Sequence, residues 1–224
     1  MENEKIFYIG FPKTGTKSMG ALFEQLGYKV KSFDDSYKQE LWDYVVEKDL
    51  TPFFNMVDDY NAFEDIPWCY IFKEIYAKFH GSKFIYHYRK EESWYRSIVR
   101  HGKRAPLKKN MLDYLYKYNI PEIQDEKEKR IAIYRYHKKD VLNFFRDKKD
   151  RFLSVDLFND ENVVKEICDF LGKDSDIKNM PHNNIGNKFL RAKSKIMKLI
   201  KGRLGVGPQQ LFNMITKKVN DRLF

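Results

Sequence analysis

The chain has 224 residues, 42% hydrophobic and 33% charged, which fits one soluble domain of ordinary size and excludes a disordered polymer. Net charge is +10, but residues 186–224 hold ten basic side chains against one acid, Asp221, and the other 185 residues are nearly neutral. No apolar run reaches the length of a signal peptide or membrane span, no Asn-x-Ser/Thr acceptor occurs, and Cys69 and Cys168 lie far apart, so reduced thiols and a cytoplasmic location are expected.

Residues 5–9 read as a buried strand. A glycine-bearing loop follows from Gly10, and residues 18–26 read as a helix that Gly27 stops. Residues 28–33 form a short second strand, 38–49 carry helical spacing in Leu41, Tyr44 and Val45, and 51–55 read as a turn or strand entry. Residues 60–67 are strand-like or loop, 68–79 a helix broken at Gly81-Ser82, 83–89 a strand and 92–101 a helix. Residues 103–150 read as mostly helical, 152–155 as one more strand and 163–171 as one more helix. This alternation predicts a three-layer α/β fold, a parallel sheet flanked by helices. Ligands of such sheets sit at the carboxyl ends of the strands, where the glycine loop and Arg89 both fall.

The loop reads Gly10-Phe-Pro-Lys-Thr-Gly-Thr-Lys-Ser18. Gly10 and Gly15 keep backbone N–H groups unobstructed. The helix that follows adds unpaired N–H groups and a positive dipole end. Lys13 and Lys17 add charge, and Thr14, Thr16 and Ser18 add hydroxyls. These are the parts of a polyanion site. The nucleoside-triphosphate loop has the spacing G-x-x-x-x-G-K-[ST]. Gly10 and Gly15 fit it, but Thr16 stands in the lysine's place, Lys17 comes one residue late and Lys13 sits early, after Pro12. No clear acidic partner for magnesium stands out. The departure counts against a kinase or an ATPase.

Pro12-Lys13-Thr14-Gly15-Thr16 resembles the first motif of the sulfotransferase family, P-K-[ST]-G-[ST] after the first strand. The family's second motif is an Arg at the end of a later strand with a Ser eight residues on. Arg89 and Ser97 match it, although Lys90-Glu91 replaces the family's usual Asn-Pro. The resemblance covers residues 5–100 most clearly. It implies the phosphate-loop sulfotransferase fold. It also implies sulfuryl transfer from 3′-phosphoadenosine 5′-phosphosulfate (PAPS) to a hydroxyl or amine of a small-molecule or glycan acceptor, without a metal.

In that reading Pro12, Lys13 and Thr14 line the donor, and Lys13 stabilises the leaving phosphate. Gly15, Thr16, Lys17 and Ser18 hold the 5′-phosphate, and Arg89 and Ser97 the 3′-phosphate. Asp65 falls in the family's base region, just before Pro67, and is the candidate to take the acceptor's proton. Its alternative is a turn or helix-cap role. Glu74, His87, His101 and His182 follow as lesser candidates. The segment from Met180 to Asn184 resembles a loop before the family's C-terminal donor contacts, which nominates Lys188 and Arg191.

A domain of residues 1–185 with a basic helical extension at 186–224 is therefore expected. The extension either docks on the domain or turns its basic face to an anionic membrane or a polyanionic acceptor. Two rivals stay open: a phosphate-loop nucleotide or small-molecule kinase, and a non-catalytic basic module for nucleic acid or anionic membrane. The neutral body speaks against the second.

Overall fold

The computed structural model describes residues 4–32, 49–102 and 125–181. The expected helix at 38–49 apart from Asp49, residues 103–124, and everything from His182 on, Lys188, Arg191 and the basic extension included, lie outside the described residues, as does the side chain of His101.

Ile6, Phe7 and Tyr8 have no exposed surface. A strand closed off on both faces belongs in the middle of a parallel sheet with helices above and below. That is the position of β1 (Ile6–Tyr8). With β2 (Val30–Lys31), β3 (Ala62–Glu64), β4 (Lys83–Tyr86) and β5 (Phe152–Ser154) it forms a five-stranded sheet of order β2-β3-β1-β4-β5, every pair parallel. Phe7 lies level with Phe63 and Phe84, and Tyr8 level with Glu64 and Ile85. The shared register brings the chain exits after Tyr8, Glu64 and Tyr86 to one edge.

Six described helices complete the three layers: α1 (Thr16–Gln25), α2 (Thr51–Asp59), α3 (Phe72–Lys78), α4 (Glu91–Gly102), α5 (Glu126–Phe144) and α6 (Val163–Leu171). Strand alternation splits the core into two faces. Phe7, Phe63 and Phe84 pack with Phe53, Val57, Trp68, Ile75 and Phe145 on one face. Ile6, Tyr8 and Ile85 pack with Met19, Leu22 and Phe23 of α1 and with Val163, Val164, Ile167 and Leu171 of α6 on the other. Phe7 stacks on Phe63 with centroids 4.5 Å apart. Each such ring contributes about 1.5–3 kcal/mol by leaving water.

Residues 51–59 form α2 where a turn was expected. Pro52 lies in the first helical turn, where its missing N–H is no loss and its fixed φ suits the helix. The expected helix at 68–79 begins only at Phe72, after turns in which Tyr70 and Ile71 donate to the Pro67 carbonyl at 2.7 and 3.3 Å. β4 stops at Tyr86 rather than 89. Both cysteines are free and buried. No described helix is long and apolar enough to cross a membrane.

Candidate active site

The loop after β1 is fastened from beneath. A Cβ at Gly10 would lie 2.5 Å from the Tyr8 phenol and 2.6 Å from Thr14 Oγ1, so only glycine fits. The Tyr8 hydroxyl donates to the Thr14 carbonyl at 2.9 Å and lies 3.0 Å from Thr14 Oγ1, which itself donates to the Phe11 carbonyl at 2.6 Å. Thr14 has no exposed surface. Its hydroxyl was expected to face an anion; it is turned inward and holds the loop's shape.

The side of the loop is clamped by rings. Trp94 Nε1 donates to the Pro12 carbonyl at 2.9 Å, and its indole stacks on Tyr134 with centroids 4.1 Å apart and planes 7° off parallel. Phe11 sits among Tyr70, Trp94, Tyr134 and His137. Pro12 thus contributes its carbonyl to the clamp.

α1 opens at Gly15, whose φ of 108° is closed to most side-chain-bearing residues. No side chain caps this helix start. Ser18 and Met19 donate to the Gly15 carbonyl at 2.9 and 3.0 Å, so the helical ladder begins there and earlier N–H groups lie upstream of it. Thr16 donates its hydroxyl to Asp65 Oδ2 at 3.0 Å. Lys17 pairs with Glu64 Oε1, also at 3.0 Å. Ser18 is buried in the first turn.

Arg89 follows β4 at the same edge. Its Nη1 donates to the Lys13 carbonyl at 3.2 Å and its Nε to Ser93 Oγ at 2.9 Å. The Tyr134 hydroxyl accepts from the Arg89 N–H at 2.8 Å and donates to its carbonyl at 2.9 Å. The guanidinium lies 5.5 Å from the Phe158 ring, which is 50% exposed and also approaches Gly15.

Asp65 leaves β3 in the left-handed region. Among the described residues, Lys13 and Asp65 are the two non-glycine residues with such a backbone, each at φ 73°. Conformations of this kind cost on the order of 1–3 kcal/mol each and gather at functional sites. Burial first, then the charge of Glu64, pushes the Asp65 carboxyl up to about 6, against the pull of Thr16, Lys17 and the Ile66 N–H.

The family model described as a sulfotransferase domain matches residues 5–189. The chain belongs to the sulfotransferase domain family. No curated protein matches it. Among solved structures, a sulfotransferase from Alicyclobacillus acidocaldarius shares 14% identity at a TM-score of 0.49, covering 94% of this chain and 99% of that one. Mouse sulfotransferase SULT7A1, complexed with PAP, shares 15% at a TM-score of 0.44 over 79% of this chain and 62% of that one. A gluconokinase from Sinorhizobium meliloti 1021 shares 14% at 0.42 over 76% and 92%.

In this sulfotransferase domain Lys13, Gly15, Thr16, Lys17, Asp65 and Arg89 converge on one strand edge, linked by the contacts above. Ser97 makes no hydrogen bond to Arg89; it lies one turn beyond Ser93, which does. Once α4 starts at Glu91, the residue four positions after Arg89 is its neighbour, not the one eight positions on. Glu74 is exposed in the first turn of α3. His87 is packed, with Nδ1 at 3.0 Å from the Val155 carbonyl and 3.3 Å from the Leu157 N–H, and burial lowers its pKa. Glu64 was missed. Two consecutive acids closing a strand were its sequence signal, but the Lys17 partner lies 47 residues away.

Proposed function

We propose that this sulfotransferase domain moves a sulfuryl group from PAPS to a hydroxyl or amine of a small-molecule or glycan acceptor. The carrying observation is the bond from Arg89 to the Lys13 carbonyl. It ties two anion-seeking groups, the uncapped helix start and the guanidinium, into one rigid unit suited to a donor with two separate phosphates. When bound, the donor supplies an activated sulfuryl group. The chain's residues do the rest. The N–H groups around Gly15 and Thr16, with Lys17 and Ser18, hold the 5′-phosphate. Arg89 and Ser93, with Ser97 in reserve on the same helix, hold the 3′-phosphate. The exposed Phe158 ring beside Gly15 and Arg89 offers a stacking surface for a base.

The acceptor oxygen or nitrogen attacks sulfur, the bond from sulfur to the phosphate oxygen breaks, and its electron pair stays on the phosphate. Lys13 stabilises that charge. Asp65 takes the acceptor's proton. We assign catalysis to residues 1–185 and read Arg191 and the basic extension as completing the donor pocket or meeting an anionic surface. The free, buried cysteines suit a reducing, cytoplasmic compartment.

The acids Glu64 and Asp65 beside the loop favour the kinase alternative, since a magnesium site needs carboxylates there. Lys17, standing where that motif has its metal-binding hydroxyl, is paired with Glu64 and supports the metal-free reading. Thermal denaturation decides between them. Adenosine 3′,5′-bisphosphate without magnesium should stabilise the protein, by about 2.7 kcal/mol at a hundred times its Kd, and ATP with magnesium should not. Stabilisation by magnesium ATP alone would replace the reading with a kinase.

A further inference from the structure

Consecutive residues of a strand point to opposite faces of the sheet. Glu64 ends β3 and Asp65 follows it, so their carboxylates would be expected on opposite sides. The left-handed backbone of Asp65 breaks the alternation. Both carboxylates meet consecutive residues at the start of α1: Asp65 reaches Thr16 and Glu64 reaches Lys17, each at 3.0 Å.

The fold makes room for this. A Cβ at Gly20 would lie 3.3 Å from Glu64 Cγ and 3.5 Å from Oε1, so a larger residue there would press on the carboxylate. Glu64 has no exposed surface, and its Oε2 is buried without a hydrogen-bond partner. A buried carboxylate opposed by one half-exposed lysine is a poor stability device. Its placement suits an electrostatic task.

We propose that Glu64, fixed by Lys17, is a positioning residue that makes Asp65 a stronger base than a lone carboxylate would be. The inference rests on the reading of Asp65 as the base. Asp65 accepts from the Thr16 hydroxyl of α1 and from the Ile66 N–H, and the titratable groups whose charge acts on it are Lys17 of α1, Glu64 of β3, the Tyr8 phenol of β1 and the Cys69 thiol. Burial raises the pKa of both Tyr8 and Cys69, which leaves them neutral near pH 7. Glu64 and Lys17 are then the charged neighbours. Two carboxylates in one site take up protons as a pair, and the member bonded to a cation stays ionised. Lys17 lies on Glu64 at 3.0 Å, whereas Asp65 accepts from the neutral Thr16 hydroxyl and the Ile66 N–H, each at 3.0 Å.

The test is the pH profile of kcat/KM for the wild type, E64Q, E64D and D65N, with affinity for adenosine 3′,5′-bisphosphate measured alongside. In E64Q a like charge disappears and Lys17 is released toward Asp65. Both changes favour the ionised base, so the acid limb should move to lower pH by half a unit or more. The plateau should fall several-fold. E64D disturbs the packing but keeps the charge, and its limb should stay near that of the wild type. A merely structural Glu64 would change stability and rate and leave the limb in place, and that result overturns the inference. If D65N keeps both the rate and the limb, the base reading fails and this inference falls with it. Should E64Q not fold, carboxyl NMR titration of the wild type decides: the higher step on Asp65 supports the inference, and the higher step on Glu64 ends it.

Discussion

The two sides of the glycine loop are built differently. Toward β4, rings and neutral donors hold it: Trp94 on the Pro12 carbonyl, Tyr134 on the Arg89 backbone, Phe11 in the aromatic cluster. Toward β3, charges hold it: Asp65 on Thr16 and Glu64 on Lys17. Packed rings fix positions and respond little to salt, or to pH near neutrality. Carboxylates, one buried and one partly so, change charge when they take up a proton. The difference teaches a division of labour, with geometry set on one side and proton affinity on the other.

The largest effect should come from the charged side. D65N should lower kcat about 10³-fold, because a positioned base is worth 10²–10⁴-fold, with bisphosphate binding little changed. In the wild type, kcat/KM should rise with pH through about 6 and level off above it, since the base must be ionised. The sign for stability is opposite. A carboxyl whose folded pKa is raised helps folding at low pH and loses that help as pH rises through the folded value. D65N should therefore melt higher than the wild type at pH 7 to 8, by calorimetry. Next in size is K13A, which should lower kcat about 10²- to 10³-fold, the loss typical of one preorganised charge-stabilising donor. A fully active K13A ends that residue's proposed role.

The ring side has its own titrating group. Burial lowers the His137 pKa to about 4, and one ring nitrogen, Nε2, lies 2.9 Å from the Cys69 carbonyl. A folded pKa below the unfolded one gives stability that is present above the unfolded value and lost as pH falls toward the folded one. Between pH 6.5 and 4 the fold should lose about 3 kcal/mol from this group, measured by urea unfolding against H137Q. Equal pH dependence in the variant would remove His137 as the cause.

Much of the loop was legible because its chemistry is local. Gly10, Lys13 and Gly15 announce an anion site by type and spacing alone. Arg89 was legible from its place after an apolar strand. Long-range pairing hid the rest. Nothing near Thr14 shows that Tyr8 lies directly beneath it, and nothing near Lys17 shows that β3 pairs with β1 and delivers Glu64. Pro52 reads as a breaker unless the helix start is known to lie at Thr51. The Ser93 partner of Arg89 depended on where α4 begins, a boundary that residue patterns place only to within a few positions.

Arg89 adds a charge to the β4 side, its backbone held by Tyr134 and its guanidinium by the Lys13 carbonyl and Ser93. R89A should weaken adenosine 3′,5′-bisphosphate binding about 10- to 100-fold, the range for losing charged hydrogen bonds, with a smaller change in kcat. Calorimetric titration measures it. Unchanged affinity would move the second phosphate away from Arg89.

The smallest effect should come from W94F, and it separates the two sides most cleanly. Phenylalanine keeps a ring against Tyr134 but removes the indole N–H, leaving the buried Pro12 carbonyl without that donor. The loss should be about 1–2 kcal/mol of stability, the range for one unmet buried acceptor. Because no charge takes part, the loss should be the same at 0.05 and about 1 M salt, where the Debye length falls from roughly 14 Å to 3 Å. It should also leave the acid limb of the rate profile at its wild-type pH, since Trp94 is not among the groups facing Asp65. A salt-dependent loss, or a shifted limb, would show that the ring side takes part in setting the charge of Asp65, and the division of labour would fail.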